Sequence, residues 1–117
     1  MNNIPKIFKR PVIDQKRLCE IDAMAAPRRR YIIAITPRSG SSYLCDVMKK
    51  IKRFGCPDEV LNQEFIPVIM KKIPGRTSDE YLRNVVRVRK TRNGISGFKS
   101  SWFQFHGFAQ AARTSSL

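Results

Sequence analysis

Pro37-Arg38-Ser39-Gly40-Ser41-Ser42 follows directly on the branched apolar run Tyr31-Ile32-Ile33-Ala34-Ile35-Thr36 and leads into a helical pattern. Strand, tight loop and helix together make a geometry that binds anionic phosphate. A glycine lets the backbone approach the anion, the unpaired N–H groups of the first helical turn point at it, and the helix dipole favours negative charge. Arg38 and the hydroxyls of Ser39, Ser41 and Ser42 supply further donors. The loop is not of the G-x-x-x-x-G-K-[ST] type, because it has one glycine and no lysine after it, and it is not a G-x-G-x-x-G turn. An ordinary strand-turn-helix connection fits the same residues, so the loop alone leaves both readings open.

The other chemistry-bearing residues stand apart in the sequence. His106 has no acid or cysteine beside it, so no triad can be argued from it, and no cysteine is followed six residues later by arginine, as a phosphotyrosine-phosphatase loop requires. Cys19, Cys45 and Cys56 form no C-x-x-C pair and have a single histidine to join them, so no metal site is expected.

Around the loop, the run 31–36 suits a short strand buried on both faces, as in a parallel sheet. Leu44, Val47, Met48 and Ile51 repeat with helical spacing, which predicts a helix over about 42–54 with that stripe in the core. Lys49, Lys50, Lys52 and Arg53 suit its negative end, and Gly55 its stop. Pro57, Pro67 and Pro74 keep any helix between residues 56 and 75 short. Thr77-Ser78-Asp79-Glu80 reads as a capping box opening a helix that buries Tyr81, Leu82, Val85 and Val86, closed by Asn93-Gly94. A second short strand is expected over 95–100 and a further helix over 101–112, with Gly107 against it. Residues 1–30 carry Pro5, Pro11, Pro27, scattered cations, the run Arg28-Arg29-Arg30 and room for a short helix over 14–24. They read as a basic, loosely structured arm before a domain at 31–117.

The chain has 117 residues, which fits one domain, and 23 Lys plus Arg against 9 Asp plus Glu leave a charge of +14. At 42% apolar and 27% charged it lies in the globular range, which excludes a collagen-like fibre and a wholly disordered chain. No apolar run approaches the roughly 18 residues of a membrane span. Three thiols without a secretory signal suit a reducing compartment, and a cytoplasmic location is expected.

Three stretches carry a family resemblance. Thr36-Pro37-Arg38-Ser39-Gly40-Ser41-Ser42 resembles the 5′-phosphosulfate-binding loop of sulfotransferases that use 3′-phosphoadenosine 5′-phosphosulfate. Gly55-Cys56-Pro57-Asp58-Glu59 resembles the G-x-P-x-E segment of the trehalose 2-sulfotransferase-like family, and the stretch from Asn93 to Trp102 resembles its N-G-x-x-G-x-K-x-x-W segment. All three fall in the family's order, within about residues 31 to 110.

The resemblance implies an α/β fold with a P-loop-like parallel sheet flanked by helices, incomplete at its C-terminal side. It also implies sulfuryl transfer from 3′-phosphoadenosine 5′-phosphosulfate to a hydroxyl of a sugar or glycolipid, without a metal, in a chain able to form a homodimer. By the same resemblance Pro37, Arg38, Ser39, Gly40, Ser41 and Ser42 hold the phosphosulfate. Glu59 is the matched base, Lys99 approaches the sulfuryl oxygens or the substrate, and Trp102 lines a sugar pocket. As residues alone, Glu59 equally fits a solvated glutamate, Lys99 a snorkelling surface lysine and Trp102 a core aromatic. The family continues with an arginine and a serine for the 3′-phosphate, which the stretch from Ala111 to Leu117 does not match, so a truncated and inactive form is expected.

A competing reading is a basic nucleic-acid-binding protein, since +14 is ample for phosphate neutralisation. Its cations are dispersed, however, no zinc-finger or RRM signature is present, and Phe103, Phe105 and Phe108 do not interleave with basic residues as a stacking platform would. A third is a non-catalytic remnant that keeps the fold without the activity.

Overall fold

A computed structural model describes residues 4–9, 13–35 and 41–115, the side chains of residues 41, 42 and 112–115 excepted. In chain order the elements are α1 (Ile4–Ile7), α2 (Gln15–Asp22), β1 (Arg29–Ile35), α3 (Ser41–Ile51), α4 (Ile66–Ile69), α5 (Ser78–Val88), β2 (Ile95–Ser101) and α6 (Trp102–Ser115). The two strands pair in parallel, in register from Arg29 opposite Ile95 to Ile35 opposite Ser101. The class is mixed α/β with a two-stranded parallel sheet.

Side chains alternate across such a sheet. Arg30, Ile32 and Ala34 therefore share one face with Ser96, Phe98 and Ser100, and Tyr31, Ile33 and Ile35 share the other with Gly97 and Lys99. Phe98 carries the first face into the main core, where it joins Tyr81, Val85 and Val86 of α5, Phe108 and Ala111 of α6, and Ile4 and Ile21. Toward the second face, the buried Cys45 of α3 lies within electrostatic reach of Tyr31 and Lys99.

The strand expected to be buried on both faces is the exposed one. Ile32 is 52% exposed, whereas β2 is buried from Ser96 to Ser100. The difference lies in the neighbours. β2 has β1 on one edge and the segment after Gly55 on the other, where Lys99 N–H donates to the Asp58 carbonyl at 3.1 Å. Among the described residues β1 has no second strand beside it.

The same narrowness corrects the reading of α3, since two strands offer a helix a strip about 5 Å wide. Cys45 is buried there, but Leu44, Val47 and Ile51, expected in the core, are exposed. The helix also stops earlier than expected. Lys52, with φ 61°, takes the left-handed position after Ile51, and Gly55, with φ 73°, serves the next turn instead.

The capping box at the start of α5 forms on one side. Thr77 Oγ1 accepts from Glu80 N–H at 3.1 Å, while the Glu80 carboxylate returns to the backbone N–H and guanidinium of Arg76, at 2.9 and 2.7 Å, and not to Thr77. The arm also differs from expectation. Asp14 caps α2 through Arg17 N–H, and Leu18 and Ile21, three residues apart on one helical face, are buried with Ile4. Arg83 pairs with Asp22 at 2.8 Å, tying α5 to α2. α1 thus packs against α6 and α2 against α5, and Arg29 and Arg30 already belong to β1. Among the described residues no helix is long and apolar enough to cross a membrane.

Candidate functional site at the carboxyl ends of the strands

β1 ends at Ile35 and α3 begins at Ser41, so the strand, connection and helix expected from the sequence are in place on either side of the loop. Pro37, Arg38, Ser39 and Gly40 lie outside the described residues, as do the side chains of Ser41 and Ser42. The site can be built from its other members.

Register places Lys99 opposite Ile33 and Ser101 opposite Ile35, so both lie at the end of the sheet from which the loop departs. Lys99 is 7% exposed and not a snorkelling surface residue. It and Glu59 line one cavity of about 290 Å³, together with Asp58, Arg89, Phe65 and Val68.

Glu59 is half-buried, and its Oε1 accepts from Gln104 Nε2 at 2.9 Å. Gln104 is itself fixed by a second capping box. Its N–H donates to Ser101 Oγ at 3.1 Å, and its Oε1 accepts from Ser101 N–H at 3.4 Å. The carboxylate is thereby held by the first turn of α6, directly after β2. Gln104 was missed in the sequence, although Ser101-x-x-Gln104 before a helix is a readable capping signal.

Asp58 was also missed. Its carboxylate takes Lys49 Nζ at 2.5 Å from α3 and Arg89 Nη1 at 2.6 Å from the end of α5, and its carbonyl takes Lys99 N–H. This one residue joins two helices to β2 beside Glu59.

The glycines of the two downstream motifs have packing reasons. A Cβ on Gly55 would stand 3.0 to 3.2 Å from backbone atoms of Ser96, Ile95 and Gly97, so glycine lets this segment lie against β2. Gly97 lies under the ring of Tyr31, whose hydroxyl donates to the Phe54 carbonyl. The Gly55 segment, Tyr31 and Gly97 thus interlock, which fixes Asp58 and Glu59 relative to the sheet.

Burial pushes the Tyr31 phenol up to about 12 and raises the Cys45 thiol, so neither supplies a base near neutrality. Trp102 departs from the core placement that its residue type suggested. It is 75% exposed at the start of α6, with ring contacts to Phe105 and His106 at 6.4 and 5.8 Å. Among the described residues no cluster of three or more His, Cys, Asp or Glu is arranged to hold a metal ion. Comparison with protein-family models, with curated proteins and with solved structures found no match.

Proposed function

We propose that the chain is a sulfotransferase-like protein with a P-loop-like site that moves a sulfuryl group from 3′-phosphoadenosine 5′-phosphosulfate to a hydroxyl, with a carbohydrate as acceptor. The observation that carries the reading is the meeting in one cavity of Glu59 with Lys99, which stands in the carboxyl half of β2, in a chain whose residues 36–40 lead from β1 to α3. Ligands of open α/β sheets sit outside the carboxyl ends of their strands.

In this scheme Arg38 and the N–H groups of residues 39–42 bind the phosphosulfate and stabilise the charge that grows on the leaving phosphate. The acceptor oxygen attacks sulfur, the bond from sulfur to the bridging phosphate oxygen breaks, and the hydroxyl proton passes to Glu59. Lys99 offers a cation to the sulfuryl oxygens. Gln104 orients Glu59 through the bond to Oε1. The exposed Trp102 offers a flat face to a sugar ring.

Mass-spectrometric detection of sulfated trehalose formed from 3′-phosphoadenosine 5′-phosphosulfate tests the transfer itself, and nucleotide binding without product would be the inactive form expected from the sequence. Glu59→Gln keeps the shape and removes the basicity, so turnover should fall by about 10² or more while nucleotide binding persists. Unchanged turnover in Glu59→Gln would remove Glu59 from the mechanism.

A further inference from the structure

The apolar stripe of α3 faces away from the sheet. At about 100° per residue, Leu44, Val47 and Ile51 lie within about 60° of one another around the helix axis, and the middle of that arc stands about 130° from Cys45, which α3 buries. These three residues are 37 to 49% exposed, and Tyr43, at the edge of the arc, is 78% exposed. Phe54, just past the helix, is exposed as well. Single surface apolar residues are ordinary, but a run of them on one side of a helix marks a surface that meets something. None of them lines the cavity of Glu59 and Lys99.

Cations gather at the end of the same helix. Lys50, Lys52 and Arg53 are exposed there. The fold brings others to them, because the Arg53 carbonyl accepts from Asn93 Nδ2 at 2.8 Å and the Gly94 carbonyl accepts from the N–H groups of Arg28 and Arg29 at 2.7 and 3.2 Å. Arg28, Arg29 and Arg92 therefore stand around the turn against which α3 ends, and all are exposed. Among the described residues none of these six cations has an ion-pair partner. Lys49 is turned to Asp58, and Asp46, the one carboxylate of α3, lies about 130° from the middle of the apolar arc.

We propose that this surface docks on an anionic lipid bilayer, with the Leu44, Val47 and Ile51 face of α3 set among the headgroups and the six cations against their phosphates. An apolar helical face bordered by Lys and Arg is the pattern of a helix that lies in the membrane interface. A bilayer suits the surface better than a second copy of the chain, since a two-fold contact here would bring the same cations together on chains of charge +14 each. It also suits it better than a nucleic acid, whose phosphates would leave the apolar face in water. The docking is peripheral, because 11 residues of helix are too few to span.

Co-sedimentation of the full chain with vesicles tests the assignment. Binding to mixed phosphatidylglycerol and phosphatidylcholine vesicles should be saturable, and about tenfold or more tighter than to phosphatidylcholine alone. A chain of charge +14 adsorbs to anionic lipid by charge alone, so the apolar face must be read separately. Leu44→Gln, Val47→Gln and Ile51→Gln together keep the charge and should weaken binding about tenfold or more, with the fold unchanged by circular dichroism. Lys52→Gln with Arg53→Gln should weaken it by a similar factor. In a Trp102→Phe background, the fluorescence of Val47→Trp should be quenched by brominated lipid. Unchanged affinity in the triple variant, an unquenched tryptophan, or a dimer in sedimentation velocity that the triple variant dissociates would overturn the proposal.

Discussion

Gly97→Ala offers a sharp test of the interlock between the strands and the Gly55 segment. An alanine Cβ at that position would stand 2.3 to 2.5 Å from Cζ, Cε2 and Cε1 of the Tyr31 ring. Carbon contacts are ordinarily about 3.5 to 4.0 Å, so the ring must move by more than about 1 Å. That movement breaks its bond to the Phe54 carbonyl. A lost hydrogen bond costs about 1 kcal/mol, and overpacking about 1 to 3 kcal/mol. Replacing glycine inside a strand returns about 0.5 to 1 kcal/mol. The net destabilisation expected is about 2 kcal/mol, read from the midpoint of urea unfolding followed by circular dichroism. In a Tyr31→Ala background the obstacle is gone, so the same substitution should be neutral or stabilising. The phenol of Tyr31, pushed up to about 12 by burial, should also move back toward 10 in Gly97→Ala, as spectrophotometric titration would show. An equal cost in the two backgrounds, within about 0.5 kcal/mol, would refute the reasoning, because the ring would then not be what the Cβ meets.

Two further outcomes are expected. The Arg76 guanidinium holds the Glu80 carboxyl below its ordinary value of 4.5, so the stability from this pair is complete above that pH and lost as the pH falls below it. The stability difference between the chain and Glu80→Gln should accordingly shrink from pH 5 downward, and a constant difference would contradict the pairing. Asp58→Asn leaves Lys49 and Arg89 without their carboxylate, and the side chains of these three residues are 24 to 38% exposed. Discounted for that exposure, a loss of about 1 to 2 kcal/mol is expected in urea unfolding, and less than about 0.5 kcal/mol would reduce these contacts to surface pairs.

What was readable in the sequence was local. The branched run before Pro37, the Thr77 cap with apolar residues at helical spacing after it, and the short strand after Asn93-Gly94 are specified by neighbours in the chain, and they form as expected. Burial was not readable in the same way, because it depends on how many strands lie beside a given one. Ile32 and the stripe of Leu44, Val47 and Ile51 have the composition of interior residues, yet among the described residues β1 has one strand partner and α3 a narrow floor. The N-terminal prolines and cations suggested a loose arm, whereas Leu18 and Ile21 carried the spacing that docks α2. At the candidate site, Glu59 and Lys99 were singled out by a family resemblance, and the structure brings them to one cavity. The bonds that hold them, from Asp58 and Gln104, are tertiary and left no trace in local pattern except the Ser101-x-x-Gln104 box.

The proposed phosphosulfate loop, residues 37–42, is the centre of the functional reading, and calorimetric titration with 3′-phosphoadenosine 5′-phosphate tests it most directly. The account predicts one nucleotide bound per chain, and an Arg38→Ala variant whose affinity falls by about 1.5 to 3 kcal/mol, roughly 10- to 150-fold, with the fold unchanged by circular dichroism. The same affinity in Arg38→Ala, or a nucleotide that duplex DNA displaces equally well from both proteins, would contradict it and favour a basic surface that binds phosphate wherever it is offered.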